Sequence, residues 1–269
     1  MFYEDVLPST TPRYEYEGIQ HCLQILEQWS ERSERESRPN PYLIFAIDER
    51  SFLECFVNSG ESLLTKSWET YDHSSNHVLI KMQSVEHATA AGAFDVIFTL
   101  WAHGVRDTPL SSTSTRIVRG HTRTKRADSS WTPRDPPAPR STKWPTLAVE
   151  VAWSEPRAKL QQDVAFWLNE SKGEVKAALT ITVRAHGRIA IEEWVLPTTG
   201  NTTIPYPNQK IEIVRNPGPN CPRIQGQLTL QFRDIFLRDK RGKETDFTLS
   251  HSDMEEIGDS VWKFQFNKG

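Results

Sequence analysis

Apolar positions along the chain recur at two spacings, and these divide it into elements. From Glu17 to Trp29 they fall at Ile19, Cys22, Leu23, Leu26 and Trp29, which predicts an amphipathic helix. The polar run SERSERESRPNP that follows contains two prolines and reads as a loop. YLIFAI at 42–47 has the unbroken apolar run of a buried strand, and HVLIKM at 77–82 fits another. SFLECFV at 51–57 suits helix or strand, and 59–76 is polar with little pattern. A longer helix is predicted from Ser84 to Trp101. Ser84 stands where it can cap, Glu86 lies in the first turn, and Ala90, Ala93, Phe94, Ile97, Leu100 and Trp101 share one face. Residues 107–115 read as a Ser/Thr-rich loop, with strand-like segments at 115–119 and about 123–128.

The prolines between Pro133 and Pro145 exclude a helix or an interior strand and predict an exposed connection. TLAVEVAW at 146–153 is apolar on both faces except for Glu150, the pattern of a central strand covered on both sides. A helix follows from Glu155 to Lys172. Ser154 and Glu155 can cap it, Pro156 is in its first turn, and Leu160, Val164, Trp167 and Leu168 face inward. The segments 175–183 and 188–196 flank His186-Gly187 as a hairpin. Strand-like alternation returns at 209–214 and 226–236, and 250–264 reads as a closing helix capped by Ser250 or Ser252. The expected architecture is α/β, a mixed sheet between helices. Residues 84–196 would form the core, 1–83 an N-terminal extension packing on it, and 197–269 a β-rich C-terminal extension with the closing helix.

Composition narrows the function. The net charge of −3 excludes a polycation, so any attraction to nucleic acid must be local. Such a patch exists between Arg116 and Lys143, where Arg119, Arg123, Lys125 and Arg126 are the candidate nucleic-acid contacts. Runs of this kind are also often solvated loops and nothing more. No stretch has the length of a membrane span, and the N-terminus lacks the basic start and apolar run of a secretory signal. Cys22, Cys55 and Cys221 make neither a disulfide framework nor a zinc site. The expected location is intracellular, in cytoplasm or nucleus, with no membrane partner. No serine lies in a nucleophile elbow, and there is no Gly-rich phosphate loop.

Glu150 is the position that most demands explanation. A carboxylate inside an apolar strand needs a partner or a metal. Asp128 precedes it by one strand, and two carboxylates at neighbouring strand ends commonly hold a hard divalent cation. The order helix, strand, strand, strand, helix, strand from residue 84 onward, with Ala127-Asp128, Leu147-Ala148-Val149-Glu150-Val151, Ser154-Glu155, Lys159-Leu160, Asp163 and Trp167-Leu168, resembles the restriction-endonuclease-like PD-(D/E)XK superfamily. Within it, these words are similar to a group of fungal nuclease-like proteins.

The resemblance implies a metal-dependent phosphodiesterase acting on nucleic acid. Asp128 and Glu150 would each give an oxygen to Mg²⁺ (or Mn²⁺), with the Val151 carbonyl as a backbone ligand. The family's lysine two residues after the second acid is replaced here by Ala152. Lys159 on the next helix and Lys176 on the next strand are the candidate substitutes, and Glu86 or Asp95 could supply the acid often found on the first core helix. Two other readings follow from Ala152 and from the fold's versatility: a binding or regulatory module without catalysis, and a fungal pathway protein holding a small molecule in the same cleft.

Overall fold

A computed structural model of the chain describes residues 3, 6–35, 40–105, 108–112, 116–153, 155–197 and 203–266. The elements begin with β1 (Arg13–Glu15), α1 (Ile19–Arg35), β2 (Tyr42–Ala46), α2 (Glu49–Phe52), α3 (Ser62–Ser67), β3 (Trp68–Asp72) and β4 (His77–Lys81). Next come α4 (Val85–His103), β5 (Leu110–Ser112), β6 (Ile117–Arg119), β7 (Arg123–Arg126), β8 (Ser129–Pro133), β9 (Leu147–Trp153) and α5 (Arg157–Ala165). The chain ends with β10 (Ala177–Val183), β11 (Arg188–Val195), β12 (Tyr206–Val214), β13 (Ile224–Gly226), β14 (Thr229–Leu230), α6 (Phe232–Phe236), β15 (Phe247–Thr248) and α7 (His251–Phe266). This mixed α/β chain divides into two units: Met1–Gln83 with Ile117–Arg126, and Ser84–Arg116 with Ala127–Gly269.

The first unit is built on a six-stranded mixed sheet, ordered β1-β2-β4-β3-β7-β6. Its core gathers Leu26 of α1, Phe45 of β2, and Phe52, Phe56, Trp68 and Tyr71. Phe52 stacks on Tyr71 with ring centroids 4.3 Å apart. The ambiguous stretch at 51–57 is helical: Asp48 accepts the Ser51 N–H at 3.0 Å to start α2, which runs on into a π-helical turn at Leu53–Val57. Helix α1 reaches Arg35, past the boundary read from the sequence, because the Glu and Arg residues there are good helix formers. The stretch 59–76 holds α3 and β3, every residue of β3 being buried. Its polar letters concealed a strand whose charges are paired inside the unit. Cys22 and Cys55 are free and buried, and the hydrogen bond between them pushes the Cys22 thiol up.

The second unit is built on a seven-stranded sheet, ordered β13-β12-β11-β10-β9-β8-β5. Strands β9 and β10 are parallel, and the other pairings are antiparallel. Side chains alternate along β9. Leu147, Val149 and Val151 enter a core with Phe94 and Phe98 of α4 and Ile257 and Trp262 of α7. Glu150 therefore points to the other face, where α5 and a following π-helical turn, Phe166–Glu170, bring Leu160, Val164 and Trp167 to burial.

Other boundaries also differ from the sequence reading, among them β5, which lies inside the stretch 107–115 read as a loop. The strand expected over about 123–128 ends at Arg126, and β8 begins at Ser129, so Asp128 occupies the junction. The stretch 226–236 is not one strand: Phe232–Phe236 is helical, with the Asp246 carboxylate accepting the Phe232 N–H at 2.8 Å. Phe232, Ile235 and Phe236 are buried at i, i+3 and i+4, a helical spacing that the preceding alternation masked. Pro156, not Glu155, is the N-cap of α5, and Ser154 lies outside the described residues.

Candidate active site

The β9–α5 layer of the second unit gathers buried ionisable side chains. Glu150 is 1% exposed, and its Oε1 accepts the Trp167 indole N–H at 2.6 Å. Asp163, on α5, is fully buried, and a carboxylate oxygen of Asp163 lies within 4.8 Å of one of Glu150. Lys159, one turn earlier, places its ammonium 2.8 Å from Asp163 Oδ2 and 3.6 Å from Glu155 Oε2. Glu155, Lys159 and Asp163 are four residues apart, which sets them in one row along the helix. Across the sheet, Glu150 pairs with Thr180 of β10, and Thr180 pairs with Glu192 of β11. Arg157 holds Glu192 through two bonds, of 2.8 and 3.1 Å.

Asp128 is positioned by backbone. Its Oδ2 accepts the Val151 N–H at 2.7 Å, and its Oδ1 is 3.1 Å from His87 Nε2 on α4. The β8–β9 ladder pairs Ser129 with Val149, so one further step of that register would set Asp128 across from Glu150. The Val151 group engaged with Asp128 is its amide. Asp95, also on α4, has its carboxyl raised by burial, opposed by a hydrogen bond from Ser129 and raised further by the charge of Asp128. Glu86 is buried in the first turn of α4.

The remaining candidates lie elsewhere. Lys176 is exposed just before β10, where its charge acts on Asp234. The four basic candidates belong to the first unit and have partners within it. Lys125 is fully buried, 3.0 Å from Glu69 Oε1, with Lys81 3.8 Å from the other oxygen. Arg126 donates to the Thr65 and Lys66 carbonyls, Arg123 is 3.8 Å from Asp72, and Arg119 pairs with Glu49. His87 escaped sequence reasoning because nothing in its spacing singles it out. Asp163 and Glu155 carried a signal, the i, i+4 row through Lys159, that an exposed helix face would share.

No protein-family model matches the chain. No curated protein matches it either. Among solved structures, it is similar to a presumed nuclease belonging to DUF820 from Anabaena variabilis. That likeness has a TM-score of 0.43 at 8% identity and covers 78% of this chain and 98% of the other.

The donor set of the β9–α5 layer suits a hard cation. Two carboxylate oxygens within 4.8 Å can both reach one divalent ion whose ligand distances are about 2.0–2.6 Å. Among the described residues, no helix is long and apolar enough to cross a membrane.

Proposed function

We propose that the second unit is a metal-dependent phosphodiesterase acting on nucleic acid, with a restriction-endonuclease-like core over 84–116 and 127–196 to which 197–269 adds outer strands and a closing helix. The observation that carries this reading is the convergence of Glu150, Asp163 and Lys159 in one buried cluster. The chain order α4, β8, β9, α5, β10, with β9 and β10 parallel, supports it. Asp163 joins Glu150 as a metal ligand, and Asp128 stands beside it as the acid at the head of β8. A bound Mg²⁺ or Mn²⁺ would supply Lewis acidity toward a phosphate oxygen and lower the pKa of water.

Lys159 takes the part of the lysine that Ala152 cannot play. Its ammonium lies 2.8 Å from Asp163 Oδ2 and offers positive charge where the reaction accumulates negative charge. Trp167 fixes the Glu150 carboxylate in one orientation. Asp128, by accepting the Val151 N–H, locks the backbone of β9 next to Glu150.

A second reading, a binding or regulatory module without catalysis, is favoured by the complete enclosure of Lys159 and Asp163. The two separate in one experiment. Calorimetric titration with Mg²⁺ and Mn²⁺ is run beside incubation with plasmid and single-stranded substrates, for wild type, Glu150→Gln and Asp163→Asn. Metal binding and cleavage by the wild type, both lost in the variants, are expected. A folded wild type with neither would overturn the phosphodiesterase reading in favour of the second.

A further inference from the structure

The second unit carries a basic groove away from the Glu150 cluster, at the end of the sheet where the β10–β11 turn meets the end of β12 and the last turns of α7. Gly187 makes this junction possible. Its φ is +75°, and a Cβ there would come within 2.9 Å of Arg215 Cβ and 3.2 Å of the Phe266 ring. The Gly187 carbonyl accepts both the Arg215 N–H at 3.0 Å and the Trp262 indole N–H at 3.1 Å. Turn, strand and helix are thereby tied at one point.

The groove that results has a volume of about 390 Å³ and is lined by Arg215, Asn216, Arg223, Asp259, Trp262 and Lys263. Its three cations face one acid. Arg223 lies over the Trp262 ring at 5.0 Å and pairs with Asp259. Arg215 lies over the Phe266 ring at 4.0 Å. Among the described residues, neither Arg215 nor Lys263 has a carboxylate partner. A guanidinium seated over a ring retains N–H donors that can meet a phosphate. Arg184, exposed on the β10–β11 turn, adds the same sign of charge, while Arg188 nearby is 3.9 Å from Glu212.

We propose that this groove binds the phosphodiester backbone of a single-stranded nucleic acid, with Arg215 and Lys263 as phosphate contacts and Arg223 as the fixed wall between them. A concave site of this size admits one strand, whereas a duplex or a lipid surface calls for a broad face. The proposal names a second contact for the partner class of the phosphodiesterase reading. It requires neither metal nor catalysis.

The test is fluorescence anisotropy of labelled single-stranded DNA and RNA oligonucleotides with the full chain in EDTA. The absence of free divalent metal keeps binding separate from cleavage. Wild type is compared with Lys263→Glu, an exposed helix position, and with Arg215→Gln, each checked by circular dichroism. Each variant is expected to weaken binding several-fold. The double variant should lower the slope of log K against log salt by about 1.4, the value for two lost single-strand phosphate contacts. Unchanged affinity and salt slope in the folded Lys263→Glu protein would overturn the proposal. So would wild-type binding to anionic phosphatidylserine vesicles without binding to oligonucleotide. Groove-dependent binding in EDTA beside a wild type that cuts nothing in Mg²⁺ would uphold the groove and remove only the phosphodiesterase reading.

Discussion

Lys159 holds Asp163 at 2.8 Å from one turn earlier on the same helix, with both side chains fully buried. A buried pair of this kind is costly to break from one side, since the charge left behind has lost its partner. Lys159→Met is expected to lower unfolding free energy by about 3 kcal/mol. Lys159→Met combined with Asp163→Leu should recover part of that loss, because Glu155 still loses the Lys159 charge. Urea denaturation of both variants checks the coupling, and equal losses in the two would show that the pair does not act as a unit.

Trp167→Phe keeps an aromatic ring, shrinks it, and deletes the N–H that Glu150 accepts. The expected cost is about 1–3 kcal/mol, because a buried acceptor loses its donor. If Glu150 also serves a metal, the same variant weakens Mg²⁺ binding in calorimetry while leaving far-ultraviolet dichroism unchanged.

Asp95 sits where burial raises its carboxyl pKa. For an acid whose folded pKa lies above its unfolded value, stability falls as pH rises from the unfolded pKa through the folded one. Asp95→Asn is therefore expected to raise the melting temperature at pH 7 by about 2 °C and to change it little at pH 3. A lower melting temperature at pH 7 would contradict this.

Glu244 shows the opposite sign. Two bonds from Arg238, each 2.7 Å, and one from the Arg241 N–H draw its pKa down to about 2 against the burial that opposes them. The stability it contributes is fully present above about pH 4.5 and is lost as pH falls through about 2. Glu244→Gln should flatten the acid limb of a stability–pH curve in that window and leave the limb above pH 6 unchanged.

The sequence revealed the long elements and less of the site. The periodicity of α4 and the apolar run of β9 place Glu150 on a covered strand because both patterns are set by burial on the element itself. Strand β3 was hidden because Glu69 and Asp72 look like surface residues until their lysine and arginine partners are found. Arg123, Lys125 and Arg126 read as a charged surface for the same reason: pairing depends on distant parts of the chain. Asp163 was legible as part of the resemblance and as a polar residue on a helix, but not as a neighbour of Glu150. Its value lies in where α5 sets it against β9, a relation that no local spacing encodes.

The first unit is discontinuous in the chain. Its sheet takes β6 and β7 from Ile117–Arg126, after α4 and β5 of the second unit have been made. A ribosome must therefore release more than a hundred residues before the edge next to β3 can be closed, and until then β3 offers an open template for pairing. A fragment ending at Gln83 would inherit that open edge permanently. A peptide spanning 117–126, added in trans, is the natural complement with which to cap it, and that makes the unit a ready substrate for split-protein design.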